Sequence, residues 1–151
     1  GPAALAVTGV AVLGIGNAAG RLFSGWLSDL ISVRSVAGLA HLTSAIGLVV
    51  VLGNPTGEGA VVTLVMAGIA YGMTASVYPS AVSIFMGRAS YGRNFGILLT
   101  AWGAAGLAGP FIGGYSFDMT SDYRVALEFA AVASVLGLFN AMRLPRQNPT
   151  A

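Results

Sequence analysis

Apolar residues run along this chain for about twenty positions at a time, and polar residues gather in short breaks between the runs. A bilayer core of about 30 Å takes about 20 mostly apolar residues as a helix. Each run therefore predicts one crossing, near 4–27, 36–53, 60–86, 96–117 and 124–142. The stretch SDLISVRS follows the first run, GNPTGEG the second, GRASYGRN the third and FDMTSDY the fourth, all rich in turn-forming residues. Transmembrane β-strands would instead be segments of about ten residues that alternate in polarity. These runs are longer and do not alternate. Connections this short make successive helices antiparallel neighbours. The pattern predicts an all-α integral membrane bundle of about five helices, embedded in lipid as one domain over 1–151.

Composition agrees. Of 151 residues 56% are hydrophobic and 8% are charged, against about 25% charged in soluble domains. The net charge of +2 comes from seven scattered arginines, with none of the clustering that nucleic-acid binding requires. Cysteine is absent and His41 is the single histidine, so no metal site, no cofactor and no thiol chemistry are expected. Intramembrane hydrolysis would call for a Ser-His pair, an Asp-Asp pair or a metal cluster at mid-depth. Asp29, Asp118 and Asp122 fall at span ends, so an enzyme is not expected.

Arginine placement gives the expected orientation, because short cytoplasmic loops retain positive charge. Arg21, Arg34, Arg88, Arg93, Arg143 and Arg146 fall on one side; Glu58, Asp118, Asp122, Arg124 and Glu128 fall on the other, with Arg124 four residues from Glu128. The N-terminus is expected outside a cell (inner or plasma) membrane and the C-terminus in the cytoplasm. The opening Gly1-Pro2, running straight into an apolar stretch, reads as a start between spans of a longer protein.

Small residues line several spans. Gly16 and Gly20 are four apart, and Ala101, Ala105, Gly109 and Gly113 repeat every four, with Pro110 among them. Such faces let helix backbones approach closely in lipid. Polar residues inside spans are fewer. Arg21 would cost roughly 2.5–3.5 kcal/mol at mid-membrane, so it either snorkels to the headgroups or faces protein and a partner. Asn17, one turn earlier on the same face, is placed to orient it or to bond a neighbouring helix. Tyr71, Thr74 and Tyr78 share a helical face near mid-span, too deep for interface anchors, and Pro79 interrupts the hydrogen-bond ladder beside them. Trp26 suits the interfacial belt, whereas Trp102 lies deeper. His41 reads as hydrogen-bonded packing more readily than as a proton relay.

Two stretches resemble the major facilitator superfamily. Gly25-Trp26-Leu27-Ser28-Asp29 followed by Arg34 is similar to the cytoplasmic signature loop between the second and third helices of each transporter half, although Leu30, Ser32 and Val33 depart from its pattern. Gly109-Pro110-Phe111-Ile112-Gly113-Gly114 resembles the superfamily's G-P-x-x-G-G element. The resemblance implies that the five spans are helices 8–12 of a twelve-helix carrier, whose missing N-terminal half completes the cavity. Within the superfamily, NAAGRLFSGWLSD and NFGILLTAWGAAGLAGP are similar to the oxalate/formate antiporter family and its monocarboxylate transporter relatives.

That likeness implies transport of a small carboxylate by alternating access. It implies Arg21 as the carboxylate-pairing cation, Trp102 and Tyr78 as cavity walls, and Asn17 and Tyr71 as their neighbours. Gly25, Asp29, Arg34, Gly109, Pro110, Gly113 and Gly114 take the conformational and packing roles of the motifs. Dicarboxylate-carrying relatives place a lysine one turn beyond the tryptophan, where this chain has Ala105. One cation favours a monocarboxylate such as formate, lactate or pyruvate, with oxalate as the neighbouring possibility. A carrier of an unrelated solute and a non-transporting membrane scaffold are the competing expectations; a scaffold has no need of a polar, aromatic-lined cavity around Arg21.

Overall fold

The computed structural model describes residues 2–55 and 57–146, with side chains from Val7 onward. Five helices follow in order: α1 (Pro2–Leu30), α2 (Val33–Gly53), α3 (Gly57–Met86), α4 (Tyr91–Thr120) and α5 (Arg124–Ala141), with a single 3₁₀ turn at Arg88–Ser90. No strand occurs among the described residues, and all five helices are long and apolar enough to cross a membrane.

The first four helices overrun their apolar runs. SDLISVRS shrinks to a turn at Ile31–Ser32, so Gly25 and Asp29 of the signature stretch are helical and Arg34 is the second residue of α2. α4 begins at Tyr91, taking in Arg93 and Asn94, and continues to Thr120. The reason is capping, which apolarity does not report. Ser32 caps α2 by accepting from the Ser35 amide at 3.3 Å. Gly87, at φ +76° and ψ 159°, follows the end of α3 in a backbone region open essentially to glycine alone. Ser121 ends α4 at φ +55°, and Ser116 and Thr120 both donate to the Asp122 carbonyl at 3.0 Å. Arg124 pairs with Glu128 at 3.1 Å on the exposed first turns of α5.

α3 is the centre of the bundle, with α1 and α2 against it, α5 behind α2 and α4 on the rim. The α1–α3 seam is closed by four glycines. A Cβ on Gly16 would lie 2.8 Å from the Val65 carbonyl, and one on Gly72 would lie 2.9 Å from the Arg21 amide. The nearest obstacles at Gly20, Gly68 and Gly72 are tighter still, the carbonyls of Ile69, Leu13 and Asn17. Below this crossing the buried Ser24 donates to the Met73 carbonyl at 3.3 Å. Val36, Ala37, Ala40, Met73 and Val77 form the apolar core between α2 and α3. Polar bridges fix the remaining contacts: Thr63 donates to the Gly47 carbonyl at 2.7 Å, and the Ser44 and Ser134 hydroxyls meet at 3.0 Å.

Pro110 lies within α4 without ending it, so the Gly109–Gly114 stretch is helical. Among the described side chains of α4, Ser116 alone is buried.

Candidate functional site

The α1–α3 seam fixes the first element of the site. Because Gly20 and Gly72 bring the two backbones together, the next residue, Arg21, leaves α1 beside α3, where the Ser76 hydroxyl reaches its carbonyl at 3.5 Å. The Arg21 Nε donates to Asn17 Oδ1 at 3.0 Å, the i, i+4 pairing expected from one helix face. Its terminal nitrogens make no hydrogen bond among the described residues. They are therefore open to an acceptor from outside α1.

Arg21 lines a cavity of about 370 Å³ with Tyr71, Ala75 and Pro79 from α3 and Phe95, Leu99, Trp102 and Gly103 from α4. Trp102 meets Tyr71 edge to face, ring centres 5.6 Å apart at 79°, an arrangement that aromatic quadrupoles favour. Pro79 lacks the amide that would reach the Ala75 carbonyl, so a backbone acceptor on the cavity wall loses its helical donor. No carboxylate lines this cavity. A guanidinium held by its Nε and offering its outer edge is shaped to take a carboxylate through two parallel hydrogen bonds.

Tyr78 stands elsewhere. Its hydroxyl is 2.7 Å from His41 Nε2 on α2, and the two line a second cavity, of about 310 Å³, with Thr74, Leu98, Ala101, Trp102 and Ala105. A third, of about 550 Å³, contains His41, Thr74 and Tyr71 together with Ser44 and Ser134. The shared α3 face is real, but it does not make Tyr71 and Tyr78 neighbours at one site. Seven residues are about 10 Å of helix, and Trp102 stands between their two chambers.

Arg21, Asn17, Tyr71 and Trp102 thus come together, with Tyr78 one wall away. Gly25, Asp29 and Arg34 sit around the α1–α2 turn, where neither Asp29 nor Arg34 forms an ion pair among the described residues. Gly109, Gly113 and Gly114 face open space, and none of these motif residues lines the three cavities. Trp26 is 58% exposed and contacts Phe23. His41's bond to Tyr78 is the feature that sequence patterns miss, since nothing local relates residues 37 positions apart; Ser44 and Ser134, 90 apart, pair unannounced for the same reason.

Comparison with known proteins settles the kinship. The model of the Major Facilitator Superfamily matches residues 3–151. The chain belongs to that superfamily. It is 33% identical over 154 residues to monocarboxylate transporter 11 of Mus musculus, covering 93% of this chain and 34% of the relative. The human protein of the same name is 31% identical, over 93% of this chain and 32% of the relative. An uncharacterized MFS-type transporter of Escherichia coli, YhjX, is 30% identical over 65% of this chain and 25% of the relative. The chain therefore spans about a third of the length of the relatives it matches. These relatives are named as transporters.

Proposed function

We propose that these helices are the C-terminal part of a secondary transporter that moves a small monocarboxylate, of the formate, lactate or pyruvate class, or oxalate, by alternating access. The observation that carries the reading is Arg21. Its guanidinium is tied to Asn17, lines a cavity walled by Tyr71 and Trp102, and has no carboxylate beside it. A fixed cation without an anionic partner is costly in a membrane. An incoming carboxylate offsets that cost.

In this reading the remainder of the transporter forms the facing wall, and the chain lies with its N-terminus outside and its C-terminus in the cytoplasm. Two relatives named as monocarboxylate transporters support the substrate class. Ala105, bordering the second cavity, leaves Arg21 the only Arg or Lys among the described residues that line the three cavities, which matches one carboxylate better than two.

The test is exchange of labelled formate, lactate, pyruvate and oxalate by the purified full-length transporter in proteoliposomes. Arg21→Ala is expected to lower exchange at least 100-fold, and Arg21→Lys, which keeps charge but loses the planar fork, about 10-fold or more. Absence of exchange across the panel by the unaltered protein, or full exchange by Arg21→Ala, overturns the reading.

A further inference from the structure

Pro79 stands inside α3, which continues past it to Met86. A proline has no amide hydrogen, so the carbonyl four residues earlier loses its helical donor. That carbonyl belongs to Ala75. Both residues line the 370 Å³ cavity, and among the described residues lining it Ala75 alone has a proline four positions on. The nearby hydroxyls of α3 are committed elsewhere: Thr74 donates to the Tyr71 carbonyl at 2.9 Å, Ser80 to the Ser76 carbonyl at 3.2 Å and Ser76 to the Arg21 carbonyl at 3.5 Å, so none of them covers Ala75. The carbonyl is left to whatever fills the cavity.

Its position relative to Arg21 is set by the closed seam. A Cβ on Gly72 would lie 2.9 Å from the Arg21 amide, and the Ser76 hydroxyl reaches the Arg21 carbonyl. Arg21 thus lies against the one turn of α3, Gly72 to Ser76, that contains Ala75. The cavity wall offers a charged donor and a bare acceptor from adjoining helices. Its other polar side chains do not duplicate that acceptor, because the Trp102 indole only donates and the Tyr71 hydroxyl does both.

We infer that the Ala75 carbonyl, uncovered by Pro79, is a subsite for a hydroxyl group and makes 2-hydroxy acids better ligands than acids without that donor. The inference rests on the carboxylate reading given above. A 2-hydroxy acid carries its donor on the carbon next to the carboxylate, so two groups of one molecule meet two groups of the wall. The carboxylate accepts from the guanidinium, and the hydroxyl donates to the carbonyl. A 2-oxo acid brings an acceptor to the same place, so two oxygens face each other with no proton between them. An unsubstituted acid brings a methylene, which leaves the carbonyl without a partner. Since a polar group shut away unpaired costs more than a made bond gains, a site of this kind discriminates chiefly by penalising the wrong ligand.

Competition against exchange of labelled lactate by the full-length transporter in proteoliposomes tests the subsite. Unlabelled lactate should compete at a concentration about 10-fold below propionate, as one net hydrogen bond gives, and pyruvate should do no better than propionate. Propionate equal to lactate, or pyruvate equal to or ahead of it, overturns the inference and leaves the carboxylate reading in place; exchange of other acids without lactate does the same. No exchange of lactate, formate, pyruvate or oxalate overturns both. Pro79→Ala restores the amide that Ala75 lacks, and within that variant lactate and propionate should compete equally. A helix merely straightened or loosened moves both acids together, so a preference for lactate that survives in Pro79→Ala overturns the inference. Where the variant folds without exchanging, the same ratio is read from the concentrations at which the two acids raise its melting temperature in detergent. Where it does not fold, the order of the three acids in the unaltered protein decides alone.

Discussion

The α1–α3 seam and the small-residue stripe of α4 are built from similar small residues at the same four-residue spacing, yet one is shut and the other stands open. Gly16 and Gly20 meet Gly68 and Gly72 so closely that backbone touches backbone. Gly109 and Gly113 have nothing within 4 Å of where a side chain would begin. Small-residue spacing therefore states that a helix can be approached closely, not by what. The difference also orders the site. The closed seam fixes the Arg21 backbone beside α3, whereas Trp102 belongs to a helix that rests on the rim and reaches the site mainly through its ring contact with Tyr71.

The largest effect should come from filling the seam. Gly20→Val places branched carbons against the Ile69 carbonyl, which neither helix can yield without separating, and separation also opens the Ser24 bond to Met73. Overpacking of this kind costs about 3 kcal/mol or more when the obstacle is backbone. The expected outcome is loss of the monodisperse peak in detergent size-exclusion chromatography. A folded Gly20→Val protein with unchanged melting by circular dichroism would break the claim that the seam is closed.

This contrast marks what could be read from residues alone. The five crossings were legible because apolar runs of membrane length have few alternative explanations. Arg21 with Asn17 was legible because four residues on one helix make neighbours, and Arg124 with Glu128 for the same reason. Helix ends were not, since Ser32, Gly87 and Ser121 act through backbone geometry and capping rather than through apolarity. Nor were the meetings between helices. Periodicity puts Tyr71 and Tyr78 on one face of α3 but does not say that α4 brings Trp102 to the first and α2 brings His41 to the second.

A smaller effect separates a backbone obstacle from a side-chain one. Gly137 is also crowded, but by the His41 ring, which can rotate. Gly137→Ala is expected to fold, to lose the His41 bond to Tyr78, and to cost about 1–2 kcal/mol, of the order of one buried hydrogen bond and some repacking. Thermal melts should show a modest drop where Gly20→Val shows collapse. A Gly137→Ala protein as unstable as Gly20→Val would place the imidazole in a slot as rigid as the seam.

The smallest effect has the opposite sign. At Gly113 the helix is regular and nothing opposes a methyl group, so Gly113→Ala gains what alanine gains over glycine inside a helix, up to about 1 kcal/mol. In residues 1–151 purified in detergent, the variant should melt at or slightly above the parent temperature. The same substitution in the full-length transporter asks a different question. There, a higher melting temperature means that the stripe faces lipid or a cavity wide enough for a methyl, while a lower one means that another helix closes on it as α3 closes on α1. The pair of measurements thus converts the open stripe of α4 from a statement about spacing into a statement about contact, because one substitution is read with and without the rest of the transporter present.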